Sequence, residues 1–172
     1  MIDLKDIKIV VFDVDGCLTN GMYQISDNGA ITKSFYTRDF YGIEQLLRNN
    51  ISVIMITQSH DYIIKKQVER ICCHSNLWHN SYMINKLMIM IGVDNKKEKI
   101  EEYLKEVDLE WKNVAYMGDA ENDLECLELA GIAACPADAI NEIEDVDYRC
   151  DAYGGEGAVY EFCKWIIREK KN

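Results

Sequence analysis

The sequence predicts an α/β domain built on a largely parallel sheet flanked by helices. Three observations lead there. Residues 7–12 include Ile7, Ile9, Val10, Val11 and Phe12, an almost continuous apolar run of the length of a strand buried on both faces. Similar runs recur at 51–56, 113–117 and 132–135, separated by segments with helical spacing, and that alternation calls for crossover connections and parallel pairing. Acidic residues then follow the first and third runs, at the carboxyl edge where open α/β sheets place their ligands.

The elements follow in order. After the first strand, residues 22–26 and 31–36 flank Asp27-Asn28-Gly29, and Asn-Gly between β-prone stretches signals one protruding hairpin. Asp39 is expected to cap a helix running to about Asn49, with Ile43, Leu46 and Leu47 on one face. The strand at 51–56 ends at Thr57, and Ser59 is expected to cap the next helix, whose Ile63, Ile64, Val68 and Ile71 fall at helical spacing. Residues 74–91 carry the weakest signal; the apolar run 82–91 fits a short helix or a strand equally. Helices are predicted at 96–107, 122–130 (stopped by Gly131), 137–143 and 157–169, and strands at 113–117, 132–135 and 146–150.

The composition bounds the functions. The 172 residues are 48% hydrophobic with one proline and no Ser/Gly-rich tract, which predicts one domain over 1–172 with a real core. A net charge of −11 argues against a nucleic-acid-binding surface, although a local cation can still admit an anionic substrate. Residues 1–5 lack the basic-then-apolar pattern of a secretory leader, and no apolar run approaches the ~20 residues of a membrane span. A soluble, cytoplasmic protein is expected. The seven cysteines form no CxxC pair and the three histidines lack zinc-site spacing. Cys126, Cys135, Cys150 and Cys163 read as small core residues.

The chemistry-bearing residues gather at strand ends. Asp13-Val14-Asp15-Gly16-Cys17-Leu18-Thr19 follows the first strand, and carboxylates at i and i+2 on an extended backbone leave on the same side. Like charges held so close need a cation or hydrogen bonds. Thr57, followed by Gln58 and Ser59, offers a hydroxyl and helix N–H groups to phosphate oxygens. Lys96 stands at a helix start, where the dipole disfavours a cation. Gly118-Asp119-Ala120-Glu121-Asn122-Asp123 follows the third strand, so Asp13 and Asp119 could share a hard cation such as Mg²⁺. Asp123 taken alone serves equally as a helix cap.

This order, DxDGxxT, a strand-terminal Thr, a Lys, then GDxxND, resembles the haloacid dehalogenase-like phosphatase superfamily, whose fold is Rossmann-like. The resemblance implies Asp13 as the nucleophile forming an aspartyl-phosphate and Asp15 as the acid/base. It implies Thr57 and Lys96 as phosphoryl ligands, and a Mg²⁺ site drawing on Asp13, Asp15, Asp119 and Asp123. No insertion of domain size is present, so no large cap domain is expected. Asn20-Gly21, Arg38-Asp39-x-x-Gly42-Ile43 and Gly154-Gly155-Glu156-Gly157-Ala158-Val159 resemble the 3-deoxy-ulosonate phosphate phosphatases. These include the 3-deoxy-D-manno-octulosonate 8-phosphate phosphatases and their nine-carbon, sialic-type 9-phosphate relatives. Residues 111–116 and Pro136-Ala137-Asp138-Ala139 resemble the C-terminal domain of CMP-sialic acid synthetases. The resemblance implies a phosphorylated acidic sugar as substrate, with Arg38 on its carboxylate and Gly155 nearby, and a homotetramer packed through the hairpin.

Three departures mark this chain. Phe40 replaces a glycine and is expected to crowd the substrate entrance, Gln58-Ser59 replaces a Gly-Arg or Gly-Glu pair, and the stretch between Cys72 and Lys96 is longer. Glu156 leans toward the nine-carbon enzymes. Two other functions fit the same residues: a general small-phosphoester phosphatase, and a non-catalytic oligomerisation module.

Overall fold

The computed structural model describes residues 4–170; residues 1–3, part of the N-terminal stretch read above, lie outside them with 171–172. Strand β1 (Ile9–Asp13) is buried along its whole length. The chain then forms the hairpin β2 (Gln24–Ile25) and β3 (Ile31–Thr32), helix α1 (Thr37–Arg48) and strand β4 (Ser52–Ile56). Helices α2 (Ile63–Cys72) and α3 (Asn76–Met83) lead to β5 (Leu87–Met90), and α4 (Lys96–Glu106) leads to β6 (Val114–Met117). Helix α5 (Leu124–Leu129), strands β7 (Ile132–Cys135) and β8 (Tyr148–Arg149), and helix α6 (Ala158–Glu169) complete the order.

Six strands form one sheet in the order β5-β4-β1-β6-β7-β8, every pair parallel. Side chains alternate across it, so both faces carry a core. Val10 and Phe12 pack with Ile43 and Leu46 of α1, Trp78 of α3, and Phe162 and Ile166 of α6. Ile9 and Val11 pack on the other face with Ile100 and Leu104 of α4 and with Cys126 and Leu127 of α5. Helices on both faces account for the continuous apolar strands of the sequence. Cys126, Cys135, Cys150 and Cys163 are buried free thiols, as their reading required.

Several elements differ from expectation, each for a local reason. The hairpin pairs only Gln24 with Thr32 and Ile25 with Ile31, because the chain leaves the ribbon at Lys33 to return to the sheet. Asp39 does not cap α1: it lies inside the first turn, fully buried, and its Oδ1 accepts the Tyr160 N–H of α6 at 2.8 Å. Ser59 does not cap a helix either; it donates to Asp61 Oδ2 (2.6 Å), and Asp61 Oδ1 accepts Ile63 N–H (3.0 Å), so α2 starts later. Residues 137–143 form turns rather than a helix, with Ala139 N–H on Pro136 O and Ile143 N–H on Ile140 O. In the weakly marked 74–91 stretch, Ser75 caps α3, and the ambiguous run 82–91 resolves as the end of that helix followed by the strand β5. Phe40 does not face an entrance: it is buried between Phe35 (5.6 Å) and Trp78 (6.1 Å). Trp78, which covers Phe40, comes from α3 in the stretch between Cys72 and Lys96.

Candidate active site

The chain runs from β1 outward through β4 to β5, then crosses back to lay β6, β7 and β8 on the other side. The direction switches between β1 and β6, the crevice where such sheets bind ligands at their carboxyl edge. Asp13 ends β1, and Asp119 lies just past the end of β6. The loop after β1 is tight, with the N–H groups of Leu18 and Thr19 both on Val14 O at 2.9 Å. At its turn Gly16 has φ +99°, and a Cβ there would lie 2.0 Å from Asp119 Oδ2. Glycine therefore lets the β6 carboxylate reach the β1 loop.

Three carboxylates converge in that crevice. One oxygen from each of Asp13, Asp119 and Asp123 lies within 4.8 Å of the others. Lys96 begins α4 and is almost wholly buried; its Nζ bridges Asp13 Oδ1 (2.8 Å) and Asp123 Oδ1 (2.7 Å). The lysine that the dipole argument found out of place is held there by two acids. Asp123 is saturated: Oδ1 also accepts Tyr116 OH (2.5 Å), and Oδ2 accepts Asp119 N–H (3.0 Å) and Ala120 N–H (3.2 Å). It fastens Lys96 and the 118–120 turn rather than capping α5.

Burial pushes the Asp13 carboxyl well above its usual range, the charge of Asp123 adds to this, and Lys96 opposes both. Burial, then Asp123, raises Asp119 to about 6. Burial would lower Lys96, but Asp13 and Asp123 outweigh it and hold the ammonium form. Burial and Asp123 raise the Tyr116 phenol, which stays a donor. With all three carboxylates ionised, one ammonium leaves two negative charges uncompensated, which, after burial, is why Asp13 and Asp119 are raised. A hard divalent cation with oxygen ligands fits that deficit, and Asp13 and Asp119, with Asp123 behind them, could hold it.

Asp15 stands apart from the triad, so the expectation of its side chain as a metal ligand gives way to another arrangement. Its Oδ1 accepts Thr19 Oγ1 (3.1 Å), and its Oδ2 accepts Lys33 Nζ (2.8 Å) and Thr57 Oγ1 (3.4 Å). An extended i, i+2 pair would have kept the two acids together; the turn at 14–19 swings Asp15 toward β4 instead. Thr57, buried just past β4, also accepts Ser59 N–H at 3.0 Å. Lys33 further pairs with Asp61 Oδ2 at 2.6 Å. Burial disfavours both charges of that pair, yet their contacts raise Lys33 and lower Asp61.

Arg38 and Gly155 sit outside this cluster. Arg38 is exposed on α1, its guanidinium 5.9 Å from the Tyr36 ring centre, and it lines a cavity of about 800 Å³ with Tyr36, Glu156 and Tyr160. Gly155, at φ +69°, donates its N–H to Cys17 O (2.8 Å), and a Cβ would lie 2.6 Å from Asn20 N. Its glycine is thus explained by close packing on the β1 loop.

Sequence reasoning passes over Tyr116, Lys33 and Asp61. Tyr116 had a signal, since a tyrosine in a fully buried strand needs a partner for its hydroxyl. Lys33 had none, because nothing in its neighbours marks a lysine after a hairpin as buried.

Over residues 5–160 the chain matches the haloacid dehalogenase-like hydrolase family. It is 32% identical over 168 residues to the 3-deoxy-D-manno-octulosonate 8-phosphate phosphatase of Salmonella typhi, covering 97% of this chain and 82% of that protein. It is 36% identical over 166 residues to the N-acylneuraminate cytidylyltransferase of Oncorhynchus mykiss, covering 96% of this chain but spanning only 36% of that protein. The crystal structure of 3-deoxy-D-manno-octulosonate 8-phosphate phosphatase from Moraxella catarrhalis, with magnesium ion, phosphate ion and KDO molecule, aligns with a TM-score of 0.83. Identity there is 27%, over 99% of this chain and 91% of that one.

Proposed function

The chain belongs to the haloacid dehalogenase-like hydrolases, and from that premise we propose that it is a Mg²⁺-dependent phosphatase of a 3-deoxy-ulosonate phosphate, eight- or nine-carbon. The observation that carries the reading is the buried group of Asp13, Asp119, Asp123 and Lys96 at the β1–β6 switch, with Asp15 beside it. When bound, Mg²⁺ supplies positive charge for the phosphoryl oxygens and lets Asp13 stay ionised.

The residues then divide the work. Asp13 attacks phosphorus; as its O–P bond forms, the ester P–O bond breaks and its electron pair stays on the sugar oxygen. Asp15 gives that oxygen its proton. In the second half Asp15 takes a proton from water as the water oxygen attacks phosphorus, and the Asp13–P bond breaks to regenerate the carboxylate. Lys96 and the Thr57 hydroxyl hold the phosphoryl oxygens. Arg38 binds the sugar carboxylate: it is exposed and forms no ion pair among the described residues, and a guanidinium takes a carboxylate in a fork. Gly155 fixes the β1 loop against which the sugar lies.

A homotetramer packed through the hairpin completes the proposal. Met22, Tyr23 and Ile25 are 69%, 59% and 62% exposed, and a ribbon of two-residue strands gains stability by packing on a neighbour.

Phosphate release from 3-deoxy-D-manno-octulosonate 8-phosphate and N-acetylneuraminate 9-phosphate, with Mg²⁺ and with EDTA, tests the reading. Strong Mg²⁺-dependent preference for one supports it. Slow turnover of both, indifferent to the sugar, would leave a general phosphatase. Full turnover by Asp13→Asn would refute the covalent mechanism, and no turnover by the wild type would favour a non-catalytic module.

A further inference from the structure

Lys33 follows β3 directly, yet its side chain is only 6% exposed. A lysine surrenders its rotamer freedom and much of its hydration to be buried, so its partners matter. Its Nζ reaches Asp15 Oδ2 at 2.8 Å, Asp61 Oδ2 at 2.6 Å and Ser59 Oγ at 3.5 Å. Asp61 is itself held by Ser59 Oγ and Ile63 N–H, so the lysine is anchored from the β4 side. Thr19 fixes the other Asp15 oxygen from the β1 loop. With Thr57 Oγ1 also on Asp15 Oδ2, three separate segments thus set the plane of the Asp15 carboxyl, and only Lys33 contributes a full charge.

We infer that Lys33 is a positioning residue for Asp15, aiming its carboxyl at the departing oxygen and countering the charge left there once the proton has gone. The inference rests on the phosphatase reading above. In the first half-reaction the proton passes from Asp15 to the leaving oxygen while that oxygen takes the P–O electron pair. The negative charge arising on Asp15 therefore develops 2.8 Å from an ammonium fixed by Asp61. Asp61 matters only as the anchor, and the hairpin matters because β3 delivers Lys33.

A purely structural pin and a positioning residue differ in what their loss does to different leaving groups. Nitrophenolate leaves without a proton, whereas phenolate needs one far more. With Mg²⁺ present, Lys33→Met is expected to lower kcat/KM, which reports the step in which the leaving group departs, by about 100-fold on phenyl phosphate, the low end of what general acids supply. On p-nitrophenyl phosphate the loss should stay below about tenfold with KM unchanged, and Lys33→Arg should recover most of the phenyl phosphate rate. Lys33→Gln, which keeps a donor without the charge, gives the same comparison where Lys33→Met does not fold. Equal losses on both esters, or no loss on either, would overturn the inference while leaving the phosphatase intact. A wild type inert toward both esters would overturn the phosphatase reading and the inference with it.

Discussion

Asp39→Asn isolates a charge that the fold works against. Asp39 is wholly buried where α1 meets α6; its Oδ1 serves the first turn of α6, which Gly157 leaves without a side-chain cap, and its Oδ2 has no partner among the described residues. Burial raises the carboxyl to about 7, against the lowering pull of the Tyr160 N–H. The folded value lies above the unfolded one, so the associated stability is complete below the unfolded pKa of about 3.9 and is lost as pH rises through about 7. The full span is worth about 4 kcal/mol, of which about 2.5 kcal/mol falls between about pH 5 and about pH 8. Asparagine keeps the Oδ1 acceptor and the volume but cannot ionise. Urea unfolding of both proteins in EDTA at the two pH values measures the difference, and groups common to both proteins cancel. The free-energy advantage of Asp39→Asn over wild type should grow by about 2.5 kcal/mol from the lower to the higher pH. An advantage constant to within about 0.5 kcal/mol would show that Asp39 does not titrate in this window, and the burial argument would be wrong.

Other perturbations test the site itself. Gly16→Ala places a methyl where Asp119 Oδ2 stands, so Mg²⁺ affinity by calorimetry should fall about 10- to 100-fold, as for a displaced ligand support. Lys96→Met leaves Asp13 and Asp123 without their ammonium and should cost about 3–5 kcal/mol in EDTA. Mg²⁺ should then stabilise that variant more than it does the wild type in thermal melts; an equal shift in both would remove Lys96 from the charge balance. Tyr116→Phe withdraws one of four donors from buried Asp123 and should cost about 1–3 kcal/mol in chemical unfolding, against no change if the hydroxyl is idle.

Much of the site was legible because its residues are tied to strand ends. A buried strand reads as an apolar run, and whatever follows it must emerge at one edge of a parallel sheet, so Asp13, Thr57 and Asp119 could be assigned to one crevice before any coordinates. Lys96 was visible as a cation in an unfavourable dipole position. The helix boundaries were harder, because Asp39 and Ser59 both look like caps in sequence while their oxygens are taken by partners far along the chain or by a neighbouring turn. Residues 137–143 have the composition of a helix, but two of their N–H groups are taken from outside the segment, Ala137 by Ala152 O and Ile140 by Asp119 O.

The sequence by itself determined the parallel α/β class, the two apolar faces and the set of acids at the sheet edge, since these follow from periodicity and from chain direction along a strand. Only the tertiary structure decided how those acids divide. The turn after β1 sends Asp13 to Asp119 and Asp123 but Asp15 to Lys33 and Thr57, and Lys33 arrives from a hairpin whose route no local pattern encodes. Charge pairing acts over a few ångströms in space regardless of separation along the chain, and those distances exist only once the chain has folded.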